Sequence, residues 1–425
     1  MMLVLTLVAL LASADTGASQ SLTMEETVTL AIQSSSALEA AHARARGSAD
    51  QAMSARGRLL PSISLADEWQ RWNSPFDVGF PVLGTLQVRD ASTNTFAAAL
   101  DQPLLGLLHL TSEEKALTTS AQAAEVDTRA LEANLRTAVR AQFLRMFEAR
   151  ALAGIARASQ EQLREQLTVA KERLAAGVLT PADILRLEVA AANARQQEIQ
   201  ATAAEQTARA SLLVAIGREP QDPAVVFVEP ATPDQAGKND ALGTLVGKAV
   251  AQRAELYSAS LLAKAADADS SSHGYRLLPD LDFEAGYLRM TGQTFVKTNS
   301  AFIGVKASWQ VWDWGADWYQ HRAAKARARA ARLQIEDSRR QVETEVAAKL
   351  ADVQASASAL ETGRATIGSA EEAYRVTAVL LAAGSANTTD LLDAQAALTQ
   401  ARLNFARARY EYALALVNLD HAVGD

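Results

Sequence analysis

Two patterns of apolar and polar positions run along this chain, and each occurs twice. Leu163, Leu167, Ala170 and Leu174 are spaced by four, three and four residues, and Leu391, Ala394, Leu398, Ala401, Phe405, Ala408, Tyr412, Ala415 and Leu419 keep a strict three-four alternation. Such spacing lays an apolar seam along one side of a helix, as in a coiled coil, with alanines allowing close approach. The segments from about Leu110 to Ala176 and Ala316 to Ala383 lack proline and consist mainly of Ala, Leu, Glu, Gln, Lys and Arg, all strong helix formers. At about 1.5 Å per residue each predicts a helix of about 100 Å, too long for one globular core and in need of partners along its length.

The second pattern has period two. Leu281, Phe283, Ala285 and Tyr287 alternate with Asp282, Glu284 and Gly286, while Ile303, Val305, Ala307, Trp309 and Val311 alternate with Gly304, Lys306, Ser308 and Gln310. This predicts a β-hairpin over 281–312 with one apolar and one polar face, and an earlier hairpin over 63–104 takes strands from Ile63 to Trp72 and from Asn94 to Leu104. All six tryptophans lie in or just beyond these hairpins. Trp69, Trp72, Trp309, Trp312 and Trp314 are the expected aromatic belt of a membrane-crossing sheet.

Both patterns belong to a tandem duplication. Laying Arg58-Leu59-Leu60-Pro61 on Arg276-Leu277-Leu278-Pro279 superposes Val28 on Val246, Ala31 on Ala249, Leu38 on Leu256 and Ala45 on Ala263 without a gap. A second ungapped match sets Gly177, Asp183, Leu185 and Gly217 on Gly384, Asp390, Leu392 and Gly424. Repeat 1 is expected over 19–217, with helices 22–56, 110–176 and 182–216, and repeat 2 over 241–425, with helices 241–273, 316–383 and 388–423. Residues 218–240 form a proline-rich linker around the β-branched run Val225-Val226-Phe227-Val228. Gly177 and Gly384 close the long helices, and Thr180-Pro181-Ala182-Asp183 and Asn387-Thr388-Thr389-Asp390 start the next ones, so both tips are tight turns of antiparallel helical hairpins.

Composition narrows the class. Among 425 residues there is no cysteine, which excludes disulfides, thiolate metal sites and a lipid-bearing N-terminal cysteine. The net charge of -8 is mild, with basic residues read as spread among acids, so nucleic acid is not an expected partner. Leu3 to Leu11 is an apolar run of signal-peptide length followed by Ala12-Ser13-Ala14, which predicts a signal peptide over 1–18 and an exported chain. No cofactor or metal site is expected. The histidines His42, His109, His273, His321 and His421 show no zinc or catalytic spacing, and Gly247-Lys248 lacks the glycine and hydroxyl residue of a phosphate loop.

Strands of about ten residues suit an outer membrane, but four of them cannot close a barrel, and open sheet edges are not tolerated in lipid. Closure shared among three copies gives twelve strands. The expected fold is therefore mainly α with a membrane β-barrel portion: two tandem repeats, long antiparallel coiled-coil helices forming a periplasmic α-barrel, and four strands per chain contributing to a 12-stranded trimeric outer-membrane barrel.

With these residues in place, the chain resembles the TolC-like outer membrane efflux proteins, or outer membrane factors, over essentially its whole mature length. The likeness rests on the Arg-Leu-Leu-Pro junctions, on Val311-Trp312-Asp313-Trp314-Gly315, and on the tips Gly177 to Asp183 and Gly384 to Gln395. It implies a homotrimeric channel that docks by its tips onto a periplasmic adaptor (a membrane fusion protein) linked to an inner-membrane transporter, and that passively conducts small molecules such as drugs or metals. Gly177, Val178, Leu179, Thr180, Asp183, Gly384, Ser385 and Ala386 would form the docking surface. Asp390 and Asp393, three residues apart beside the Leu391 and Ala394 seam, would line the channel entrance as a gate. Two departures stand out. The first strand exit reads Gln102-Pro103-Leu104-Leu105-Gly106 without the aspartate-glycine pair, and the family's tip arginine and tyrosine are replaced by Ala386 and Leu381. The competing readings are an exit duct for type I protein secretion, a periplasmic coiled-coil scaffold without a pore, and an enzyme, whose motifs are missing.

Overall fold

The computed structural model describes residues 20–81, 84–231 and 241–424. The expected signal peptide and linker residues 232–240 lie outside the described residues. The chain divides into two compact units.

The first unit comprises the chain up to Leu38, Leu131–Gln252 and Val342 onward. It opens with strand β1 (Gln20–Leu22) and helix α1 (Met24–Ser34). A capping box starts α1: the Thr23 hydroxyl accepts the Glu26 N–H, and the Glu26 carboxylate accepts the Thr23 N–H at 2.8 Å. Helix α2 (Ser36–Gly57) follows, then β2 (Ser62–Arg71), β3 (Phe76–Phe80), β4 (Gly84–Pro103), α3 (Leu107–Ala175), α4 (Pro181–Ala215) and β5 (Val225–Phe227). β5 pairs in parallel with β1, bringing Leu22 beside Phe227. Val139, Phe143, Leu144 and Phe147 of α3 bury against this pair and against Leu212 and Leu213 of α4. The Phe143 and Phe147 rings lie 5.1 Å apart and Phe227 meets Phe143 edge-on at 5.9 Å. Truncating a buried phenylalanine of this kind costs about 3–5 kcal/mol.

The chain continues with α5 (Leu242–Gln252), α6 (Ala254–Tyr275), β6 (Asp280–Gln293), β7 (Asn299–Ser308), α7 (Ala316–Ala382) and α8 (Thr388–Val423). The linker is tied to α8 in the first unit: the Tyr410 hydroxyl donates to Glu229 at 2.7 Å, and Arg409 pairs with the same carboxylate. The single helices expected over 22–56 and 241–273 are each broken once, at Ser35 and Arg253, where the backbone is extended. The ungapped match that lays Arg58 on Arg276 also lays Ser35 on Arg253. At the first break the Ser35 side chain accepts the Leu38 N–H at 3.2 Å and so starts a new helix.

The second unit comprises Glu39–Ala130 and Arg253–Gln341. Its antiparallel sheet has the order β2-β4-β6-β7, with β3 also paired to β4. β2 pairs with Ser92 to Asp101 of β4, whereas β3 pairs with Gly84 to Arg89, so β3 continues the lane of β2. The expected loop over 73–93 therefore contains a strand and the first part of β4. β7 ends at Ser308 rather than running to Trp312. Its partner β6 starts at Asp280, just after Pro279, and offers no further backbone groups to pair. Beneath the sheet, buried small residues let the helices approach closely: Ala52 and Ala55 of α2, Ala116 and Ala123 of α3, Ala263, Ala265 and Ala268 of α6, and Ala324 and Ala328 of α7.

Candidate functional site

The sheet has one outward apolar face. Register sets Ile63 beside Leu100, Ala285 and Ile303 in one row, and Leu65 beside Ala98, Tyr287 and Ala301 in another. Ile63, Leu65, Ile303 and Val305 are all well exposed. The alternate rows join Ser62, Asp101, Glu284 and Gly304, and Pro103, Asp282 and Lys306. A sheet with an uncovered aliphatic face and a polar opposite face suits lipid on one side and water on the other. Among the described residues no helix is long and apolar enough to cross a membrane.

The five belt tryptophans are all exposed, Trp314 by 86%. Trp69 and Trp72 stand at one end of β2, where the Arg89 guanidinium lies 3.7 Å from the Trp72 ring centre. Trp309, Trp312 and Trp314 follow β7 at the other end of the sheet, with the Trp312 and Trp314 rings 5.7 Å apart. Trp314 has φ 59°, and among the described residues it alone takes a left-handed backbone without being glycine. The Asp313 carboxylate, accepting N–H groups of Gly315 and Asp317 at 2.8 Å each, holds this turn at the start of α7.

At the tips, Gly177 and Gly384 have φ of 72° and 75°. Gly177 N–H donates to Leu174 O and Val178 N–H to Arg173 O, while Gly384 and Ser385 donate in the same pattern to Leu381 and Leu380. Both are Schellman caps. A Cβ added at either glycine meets nothing within 4 Å in this chain, so it is the left-handed φ that favours glycine there. Val178, Thr180 and Ser385 are exposed, whereas Leu179 turns inward onto Ala170, Ile184 and Leu187.

Both following helices start in capping boxes. Thr180 pairs with Asp183, and Asn387 with Asp390, whose Oδ2 accepts the Asn387 N–H at 2.9 Å. Bonds from the Thr180 hydroxyl and N–H hold the Asp183 carboxyl below its usual range. Arg186 reaches from the first tip to the Thr389 hydroxyl of the second at 3.3 Å. Asp393 is exposed one turn beyond Asp390 and takes no hydrogen bond or ion pair from the described residues. Of the two expected gate carboxylates, Asp390 is thus engaged in capping and Asp393 is free.

Sequence reading missed a polar knot above the tips. The Tyr374 oxygen on α7 accepts amide N–H groups from Gln162 at 2.5 Å and Gln166 at 2.9 Å, both on α3. Gln162 in turn accepts from Gln395 of α8 at 2.9 Å, and Ser159 meets Thr399 at 3.2 Å. Gln395 is 3% exposed, and its side-chain carbonyl oxygen, like that of Gln166, has no hydrogen-bond partner among the described residues. A cleft of about 390 Å³ opens beside the knot, lined by Tyr374, Gln166, Val169, Leu381 and Leu391 among others. The seam did not announce the knot, because Gln395 follows Ala394, the seam residue between Leu391 and Leu398.

Long paired helices joined to a sheet with a lipid-suited face define a membrane channel component. The family model for outer membrane efflux proteins matches residues 27–218 and 245–425, and the chain belongs to that family. It is an efflux channel protein of the outer membrane with a periplasmic helical extension, of the kind that works with an adaptor and an inner-membrane pump, and it is not an enzyme. The chain is similar to the cobalt-zinc-cadmium resistance protein CzcC of Cupriavidus metallidurans, with 26% identity over 358 residues and 81% of each chain covered. Among solved structures it is similar to the CmeC outer membrane channel of Campylobacter jejuni, at TM-score 0.84 and 14% identity over 94% of this chain and 85% of that one. It is also similar to the outer membrane protein VceC of Vibrio cholerae, at TM-score 0.80 and 19% identity over 94% and 96%.

Proposed function

We propose that three copies of the chain close one twelve-stranded barrel and conduct metal cations out of the cell, received from an inner-membrane transporter through an adaptor seated on the Gly177 and Gly384 tips. The observation that carries the cargo is the likeness to CzcC across four fifths of both chains. Closure by copies is supported by the sheet order, which leaves β2 and β7 as unpaired edges that lipid does not tolerate. The belt supports a full crossing: Trp69 and Trp309 are separated by about twelve rows, about 40 Å along the strand, enough for a tilted strand to cross a hydrocarbon layer of about 30 Å. Asp393, with Asp390 behind it, would place a ring of carboxylates at the entrance, which suits cations.

The test uses a host lacking its own channel but carrying a matching adaptor and pump. Expression should restore resistance to cobalt, zinc and cadmium and lower their cellular content. Restored export of dyes or of a secreted protein, with no change for metals, would overturn the cargo. Gly384→Trp should abolish resistance while the assembled protein stays in the membrane; unchanged resistance would remove the docking role of that tip.

A further inference from the structure

The even spread of charge read from the sequence fails at the start of α7. From Trp318 to Ile335 there is no acidic residue, while Arg322, Lys325, Arg327, Arg329 and Arg332 are all basic, in a chain whose net charge is -8. All five side chains are exposed. At 100° per residue, Trp318, Arg322, Lys325, Arg329 and Arg332 fall on one face of the helix, and Arg327 lies on the opposite side from Trp318. Buried Ala324 and Ala328 occupy a neighbouring face, so the stripe lies along an uncovered flank.

Little inside the chain neutralises it. Arg332 pairs with Asp267 of α6 at 2.5 Å, and the Arg322 guanidinium rests 4.8 Å from the Trp318 ring centre. Lys325 and Arg329 have no ion pair with any described residue. The helix that leaves the other hairpin is different: the early part of α3 carries Glu113 and Glu114 beside Lys115, so a run of cations without acids is not a general property of helices leaving this sheet.

Position along the chain supplies the partner. The stripe begins ten residues after β7, directly beyond the exposed Trp309, Trp312 and Trp314. Trp314 is held in a left-handed conformation that costs a non-glycine residue stability, yet its ring points almost wholly into solvent. Such an aromatic cluster marks the depth of a membrane interface. Counting about 1.5 Å per residue from Trp318, Arg322 lies about 6 Å further along α7, within a headgroup layer of about 5–8 Å, and Lys325 about 10 Å along, just beyond it but close enough for a lysine side chain to reach back. Arg329, at about 16 Å, is within a Debye length of that layer.

We propose that this face of α7 is a binding site for anionic phospholipid headgroups, with Trp318 at the hydrocarbon boundary and Arg322 and Lys325 on the phosphate. A ring beside a guanidinium gives an amphiphile both an apolar and an anionic contact. The outer membrane location is all that the site requires, and the cargo of the channel does not enter.

The intact protein is purified, placed in nanodiscs of phosphatidylethanolamine with and without phosphatidylglycerol, and its retained lipids are measured by native mass spectrometry. The wild type should retain phosphatidylglycerol in preference to phosphatidylethanolamine. The R322Q/K325Q/R329Q variant should lose that preference by roughly fivefold per charge removed, and R327Q should behave as wild type. The assembly mass of each variant establishes that it has folded, and R322K should keep the preference if R322Q disturbs assembly. Absence of a preference in the wild type, equal loss in R327Q, or protection of Lys325 from acylation in lipid-free assemblies, which would mean that a second copy covers the stripe, would each overturn the site.

Discussion

Arg58 and Arg276 occupy matching places in the two Arg-Leu-Leu-Pro segments, and both turn to one acceptor. Glu113 of α3 receives the Arg58 guanidinium at 2.9 Å and that of Arg276 at 3.6 Å. The junctions below β2 and β6 are thus joined through a carboxylate that is 24% exposed, while both guanidiniums stay about half in water. Partial exposure keeps each pair modest, about 1 kcal/mol or less. Removing the shared acceptor leaves two cations facing each other.

Glu113→Gln should accordingly destabilise the protein by about 1–2 kcal/mol, more than either Arg58→Ala or Arg276→Ala alone. In the Glu113→Gln background a further Arg58→Ala should cost nothing or restore stability. A double-mutant cycle on thermal unfolding in detergent measures this, and strictly additive losses would show that the three groups do not interact.

Tyr374→Phe removes the oxygen that accepts from both Gln162 and Gln166. Two partly buried amide donors lose their acceptor, and a loss of about 1–3 kcal/mol is expected. Gln395→Leu gives up one hydrogen bond but also removes a buried carbonyl without a partner, so it should fall within about 1 kcal/mol of wild type despite being the more drastic change. Hydrogen exchange over the ends of α3, α7 and α8 should register the first variant and hardly the second.

The first tip should loosen in acid. The folded value of Asp183 is depressed by its bonds to Thr180, so its contribution is present above the unfolded carboxyl value of about 4 and is lost as pH falls through the lower folded value. Proteolysis at Val178 and Leu179 by an acid-active protease should accelerate below about pH 4. Asp183→Asn should remove that acceleration, and an unchanged pH profile in the variant would locate the sensitivity elsewhere.

Asp390 and Asp393 can be separated by chemistry. Asp390→Asn retains an acceptor for the Asn387 N–H and removes the charge, whereas Asp390→Ala removes both. If carboxylates at the entrance favour cations, the Asp390→Asn and Asp393→Asn pair should shift the reversal potential in a salt gradient toward anions and relieve block by multivalent cations. If only Asp390→Ala has an effect, accompanied by lower stability, the pair acts as a helix start.

Much of this architecture was legible because it is periodic. Heptad spacing and helix-forming composition declared the long helices, alternation declared the apolar sheet face, and the closing glycines with the helix starts after them declared the tips. Three features were not legible, each because its cause lies away from the residue concerned. Trp309 and Val311 keep the alternation of β7, but the strand ends where Pro279 removes its partner. Phe76 to Phe80 carries aspartate and glycine and reads as loop, yet β4 runs on for 20 residues and supplies the pairing. The Tyr374 knot joins α3 to α7 and α8 across more than two hundred positions, so no local pattern announces it.

That knot is made of amides, hydroxyls and a phenol, with no carboxylate or amine among its members. Salt weakens exposed ion pairs by screening, and acid dissolves them by protonation, but neither acts on neutral groups of this kind. The contacts that this knot makes among α3, α7 and α8 therefore ignore the ionic composition of the fluid around them. Releasing them falls to whatever pushes or pulls on the helices.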